Sequence, residues 1–426
     1  MASLSLIVVT TDTTTTRSHI LHHTSHLPSL NLLVLPHVDV SHILGPNPPV
    51  VARIILTMLE SLPLVRSSIL SMNPRPSALI VDLFGTPAFA MARELGMLTY
   101  VFLTTNAWFS AVTVYSTVID KKMEDRHVIH HEPLRIPSCK SIPFEDTFEP
   151  FLDRDDPMYE GFLKTAREIV SADGILVNTW QDLEPRSVKA LLDRENLGGI
   201  VKGAIHFVGP LVRSIESKPN AKNNNVLQWL DEQPGESVIY VSFGSGGTLS
   251  EAQLTELAWG LELSQQRFVW VVRPPKEDDS SGTFFDVGNG NGSCNDDIVD
   301  YLPEGFQERT RNVGRVVLMW APQAEILEHP STGGFVTHCG WNSTLESLQN
   351  GVGMVAWPLF AEQRMNARML TEELKVAVRV NNAMDGSVVS GEKALSKFGS
   401  SHESLCLMTK DCLNYLQGPI MKSFGA

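Results

Sequence analysis

The residues from Gly333 to Ser343 read Gly-Gly-Phe-Val-Thr-His-Cys-Gly-Trp-Asn-Ser, an apolar run that turns at His338-Cys339-Gly340 and opens a helix at Asn342-Ser343. A strand, turn and helix start joined in this way aim free backbone N–H groups and the positive end of a helix dipole at one point, a place suited to an anion such as a pyrophosphate. Ser343 and Glu346 also have the spacing of a capping box. They would stabilise the helix start with no ligand present. Trp320 offers an aromatic plane for a flat base, and the Glu346 carboxylate could accept two hydrogen bonds from a diol. In the first half of the chain, the apolar run from Ser77 ends on Asp82. A carboxylate at the C-terminal end of a strand stands where ligands of α/β proteins gather, although a lone Asp there also caps helices.

These residues need a scaffold, and the chain alternates short β-branched runs with helical patterns, which predicts parallel sheets wrapped by helices. Strands are expected at Leu4 to Thr10, Leu30 to Leu35, Ala78 to Asp82, Thr99 to Leu103 and Gly174 to Asn178, with a helix over Val51 to Leu70. The polar, breaker-rich stretch from Ser217 to Asn225 reads as an interdomain connection. The second half restarts with a strand at Val238 to Phe243, the glycine turn Gly244-Ser245-Gly246-Gly247, a helix capped by Ser250 with Gln253, and a strand at Phe268 to Val272. Asp278 to Asp297 reads as a surface loop. The expected architecture is α/β: two facing doubly wound, Rossmann-like domains with a ligand cleft between them.

The whole run from Trp320 to Gln363, WAPQAEILEHPSTGGFVTHCGWNSTLESLQNGVGMVAWPLFAEQ, closely resembles the signature box of the plant UDP-dependent glycosyltransferases. The resemblance extends over roughly Leu4 to Val380, and around Asp82 and Ser242 to Thr248 it is nearest to the subgroup that glucosylates hydroquinone and monolignols. It implies a GT-B type fold. Residues 1–210 would form an acceptor-binding domain, 211–225 the linker, 226–396 the UDP-sugar-binding domain and 397–426 a tail that matches no family closing pattern. It further implies that Trp320 stacks on uracil, that Ala321 and Gln323 meet base and ribose, and that Glu346 accepts from the ribose hydroxyls. His338, Asn342 and Ser343 would hold the phosphates with Ser245 approaching from the glycine turn, and Trp341, Glu362 and Gln363 would line the sugar pocket. Gln363 is the family's usual choice for glucose, which makes UDP-glucose the expected donor co-substrate, with no cofactor and no metal. Asp82 would be the catalytic partner of a histidine that takes the acceptor's proton.

The family's opening strand, Gly-x-Gly-His turn and helix have no counterpart in this sequence. The first domain is therefore expected to be incomplete, and the catalytic histidine absent. His19, His22, His23 and His26 come after the wrong strand to replace it, and His127, His130 and His131 read as exposed loop residues. Phe102 and Trp108 could face a planar phenolic acceptor or could equally be core packing.

Composition sets the outer bounds. A chain of 426 residues with 43% apolar and 19% charged content suits about two soluble domains. The formal charge of -14 argues against nucleic acid as a partner. Five scattered cysteines predict a reducing compartment, and the absence of a basic leader or any apolar run of membrane-spanning length predicts a cytoplasmic protein.

Overall fold

A computed structural model of the chain describes residues 4–9, 30–44, 49–119, 121–212, 224–276, 302–380, 388–391 and 393. The expected surface loop at 278–297, most of the linker, His19 to His26 and the tail 397–426 lie outside the described residues. Every strand pair among the described residues is parallel, as expected of sheets buried by crossover helices.

The first half holds two sheets. One pairs β1 (Leu4–Val8) with β2 (Leu30–Val34); the other runs in the order of β3 (Ala78–Val81), β4 (Leu98–Leu103), β5 (Gly174–Val177) and β6 (Ala204–Phe207). Among the described residues no strand joins them. They share a layer instead: Leu35, Ile7 and Leu33 from the small sheet and Leu79 from β3 pack with Val65 and Ile69 of helix α1 (Val50–Ser71) in one apolar cluster. Ile80 of β3 and Leu4 and Leu6 of β1 are exposed, although apolar residues of parallel strands are ordinarily covered on both faces.

Helix α1 corrects one expectation. With a mean hydropathy of 1.4 over its best window it is long and apolar enough, by length and composition, to cross a membrane. In this fold it is the helical layer of the α/β unit.

Helix α2 (Ala107–Ser116) comes after β4, and its N-cap is Asn106, which accepts from Phe109 N–H at 2.7 Å. The run His127 to His131 is an exposed loop only in part, since His130 and His131 are exposed but His127 is not. His127 and His130 belong to helix α3 (Lys121–His130), His127 is buried with Nδ1 2.6 Å from the Glu132 carbonyl, and the His131 ring stacks on Phe144 at 3.9 Å. No cluster of three or more metal-type ligands occurs among the described residues.

The second half is a single six-stranded sheet containing β7 (Val238–Ser242), β8 (Arg267–Val272), β9 (Gly314–Leu318), β10 (Thr332–Thr337), β11 (Met354–Ala356) and β12 (Ala377–Arg379) in the order β12-β11-β10-β7-β8-β9. Helix α4 (Glu251–Ser264) begins as its sequence predicts, with Ser250 accepting from Gln253 N–H at 3.2 Å. The second half of that capping box is diverted, because the Gln253 amide bonds both the N–H and the carbonyl of Val389. The two halves share one continuous apolar cluster, which runs from Val177 and Leu183 to Phe335, Trp341 and Leu370.

Candidate functional site

The C-terminal ends of β10, β7, β8 and β9 form one edge, and the strand register fixes which residues meet there. Thr337 lies beside Ser242, Val241 beside Trp270 and Val272 beside Leu318, so His338, Gly244, Arg273 and Met319 emerge side by side. Helix α5 (Trp341–Gln349) rises from the same edge. A cavity of about 220 Å³ opens there, and Ser245, Trp320, Ala321 and Gln323 line it together with Asn342, Ser343 and Glu346 from α5. Seven residues named from the sequence are thus gathered around one space.

Their hydrogen bonds decide between the two roles open to Ser343 and Glu346. The N-cap of α5 is Gly340, and no side chain caps this helix. Ser343 and Glu346 point instead to Gln323, whose Nε2 donates to Ser343 Oγ at 3.0 Å and to Glu346 Oε2 at 2.6 Å. The Gln323 Oε1 accepts from the hydroxyl of buried Tyr240 at 3.5 Å. The capping-box expectation fails here, and the first N–H groups of α5 are left to a ligand or to water.

The turn that carries His338 depends on two glycines. Gly244 has φ +83°, and a Cβ there would lie 2.6 Å from the His338 ring; a Cβ on Gly340 would come within 2.3 Å of His338 Nε2. Burial pushes the imidazole down to about 4, so it is neutral near pH 7 and can donate through one nitrogen only. Its buried Nδ1 has no hydrogen-bond partner among the described residues, whereas buried polar atoms are ordinarily paired.

Part of the backbone strain lies around the same edge. Met319, Cys339 and Ala361 are non-glycine residues at φ +65°, +65° and +55°, and each directly precedes or sits within a run of candidate residues. Conformations of this kind cost about 1–3 kcal/mol each and persist where the surroundings enforce them.

The sugar-side candidates are placed differently. Glu362 precedes helix α6 (Gln363–Arg368), and its Oε1 accepts from Thr105 of the first domain at 3.4 Å, while burial raises its carboxyl above the usual range. Gln363 turns its Oε1 into its own loop, where it accepts from Leu359 and Phe360 N–H at 2.9 and 3.0 Å, so only its NH2 end can serve another group. Trp341 departs from expectation. It is 3% exposed, and its Nε1 donates to the Asn178 carbonyl at 2.7 Å, which makes it a tie between the domains and not part of the pocket wall. Replacing it with Phe should lower stability by about 1 kcal/mol, the usual net worth of one such bond; an unchanged melting temperature would remove that role.

On the first-domain side Asp82 is exposed at the end of β3 and accepts from Gly85 N–H at 2.8 Å, so it does cap a short helical turn. Phe102 is half-buried. Trp108 is 2% exposed with Nε1 bonded to the Lys140 carbonyl, which makes it core and not an acceptor surface. Sequence reading missed the interdomain seam altogether. Asn106 donates to Asn366 Oδ1 at 2.6 Å, and Asp146, 2% exposed, pairs with Arg368 at 3.0 Å and Arg379 at 2.6 Å.

A parallel sheet whose strand ends and helix N-terminus surround a ring, a carboxylate and two hydroxyls is an α/β site suited to a nucleotide sugar. Residues 204–390 match the family model described as UDP-glucoronosyl and UDP-glucosyl transferase. UDP-glycosyltransferase 72E2 of Arabidopsis thaliana is 45% identical over 99% of this chain and 92% of its own length, and the hydroquinone glucosyltransferase of Rauvolfia serpentina is 44% identical over 84% and 74%. Among solved structures, TcCGT1 in complex with UDP aligns with a TM-score of 0.87 and 41% identity over 97% of this chain and 87% of that one. Phytolacca americana UGT2 complexed with UDP-2fluoro-glucose and pterostilbene aligns at 0.79 and 37% over the same 97% and 87%. The chain belongs to the plant UDP-glycosyltransferases, and its fold is GT-B. It is a glycosyl transferase by family, with a UDP-sugar as donor.

Proposed function

We propose that this chain transfers glucose from UDP-glucose to the hydroxyl of a small phenolic acceptor, with inversion at the sugar carbon. The observation that carries the donor half is the turning of Ser343 and Glu346 into the cavity, away from the helix backbone they could have capped. Trp320, 42% exposed at the cavity wall, presents a ring face for uracil. Glu346 takes the ribose diol, and the N-terminus of α5 with Asn342, Ser343, His338 and Ser245 meets the diphosphate. Neutral His338 does so as a hydrogen-bond donor. Glu362 and the NH2 end of Gln363 face the sugar.

In the transfer, the acceptor oxygen loses its proton to a base and attacks C1 of the sugar, and the C1–O bond to UDP breaks with the electron pair leaving on the diphosphate. Asp82 would partner a histidine base, the residue for which this sequence offers no counterpart, so turnover requires another group to take the acceptor's proton. The acceptor class rests on relatives whose names specify hydroquinone and anthocyanidin glucosylation and on the pterostilbene complex. The scattered cysteines favour a cytosolic setting for the enzyme.

The test is incubation of the purified chain with UDP-glucose and a panel of simple phenols, read by mass spectrometry for one added hexosyl unit. A hexosylated product supports the proposal. Tight UDP binding without product would instead favour a UDP-sugar-binding protein that does not turn over. A smaller effect checks the base: Trp320→Ala should cost towards the low end of about 1–3 kcal/mol of UDP affinity, since the ring is partly exposed. An unchanged titration would reject stacking.

A further inference from the structure

Arg273 comes directly after β8 and stands in the row of strand ends between the Gly244 turn and Met319-Trp320. It is 4% exposed, yet it lines the cavity. A guanidinium keeps its charge at any working pH, and burying that charge is costly unless an anion lies near. Among the described residues lining the cavity, Arg273 is the one Lys or Arg and Glu346 the one carboxylate. Both charges reach the hydroxyl of Tyr240, which lies beneath Gln323.

The position is also held fixed. Met319 N–H bonds the Val272 carbonyl at 2.8 Å, and Thr248 Oγ1 donates to the Pro274 carbonyl at 2.6 Å, so the residue is clamped from the neighbouring loop on either side. A pre-set cation at a cavity wall acts without reorganisation on the charge of whatever enters. The remaining anion-binding groups at this edge are neutral: backbone N–H groups, Ser245, Asn342, Ser343 and a neutral His338. The chain as a whole carries a formal charge of -14, which opposes entry of a doubly charged diphosphate unless a local cation offsets it.

We propose that Arg273 is a donor-binding residue whose buried charge selects the diphosphate of the nucleotide sugar, deepening the donor-site reading on which it rests. Arg273→Gln and Arg273→Lys should be compared with the unaltered chain by calorimetric titration of UDP and by ligand-observed NMR of uridine. Arg273→Gln should weaken UDP by about 10- to 100-fold, the range of a charge-assisted contact, and uridine by no more than about 3-fold on the same reasoning. Arg273→Lys should recover part of the UDP affinity and leave uridine alone. Equal weakening of UDP and uridine, or unchanged UDP, overturns the proposal. If Arg273→Gln does not fold, Arg273→Lys decides by the same contrast between the two ligands. Failure of the unaltered chain to bind UDP would instead sink the donor-site reading itself.

Discussion

Replacing Glu184 with alanine is expected to remove about 3 kcal/mol of folding stability, the largest effect foreseen for a single side chain outside the cavity. Its carboxylate accepts from Ala107 N–H at 2.8 Å, from Trp108 N–H at 2.9 Å and from the Thr179 hydroxyl at 2.6 Å. The first two are N–H groups at the start of α2 that have no partner within the helix. Glu184 is 5% exposed, so all three donors would be stranded out of reach of water. The damage should travel, because the residues just before α2, Thr105 and Asn106, are those that contact Glu362 and Asn366 across the domain seam.

The same carboxyl predicts a pH dependence. Burial pushes it up to about 6 from 4.5, against the lowering effect of its hydrogen bonds. The folded state therefore binds the proton more tightly than the unfolded state. The stability contributed by this group is fully present below about 4.5 and is lost as pH rises through about 6, a change of about 2 kcal/mol at 1.36 kcal/mol per unit. Glu184→Gln, which cannot titrate, should lose that slope. Chemical denaturation of the wild type, Glu184→Ala and Glu184→Gln across that window checks both claims, and parallel pH curves for wild type and Glu184→Gln would refute the assignment.

Glu346→Ala is expected to weaken UDP binding by about 2–3 kcal/mol, the worth of charge-assisted hydrogen bonds to the ribose, and to lower the stability of the ligand-free protein by less than that. The contrast arises from the side chain's partner. Glu346 is bonded to the Gln323 amide at the cavity and does not cap α5. A cap residue would give the reverse ranking, with a loss of about 0.5–2 kcal/mol of stability and little change in affinity. Thermal melting and UDP titration on the same sample separate the two.

Much of the strand framework was legible. Leu4–Val8, Leu30–Val34, Ala78–Val81 and Val238–Ser242 stand within a residue or two of where β-branched runs bounded by polar turns put them. The signature box located the cavity, because its residue types are unusual together and close in sequence. Ser343 and Glu346 show what spacing cannot resolve. A three-residue offset serves a cap and a ligand equally, and the choice is made by Gln323, twenty positions earlier than Ser343. Trp341 and Trp108 were misplaced for a related reason, since an indole fits a pocket wall and a buried seam alike, and only their carbonyl partners Asn178 and Lys140 reveal which applies. The left-handed backbone at Met319, Cys339 and Ala361 carries no glycine to announce it. The seam bonds Asn106–Asn366 and Asp146–Arg368 join residues more than two hundred positions apart, which no local pattern reports.

The central claim is that the strand-end cavity of the second domain is a UDP site. Calorimetric titration of UDP into the folded chain tests it most directly. Saturable binding at one site per chain, competed by UDP-glucose, is the expected result. Folded protein that gives no binding heat, and no protection against thermal unfolding at high UDP, would contradict it.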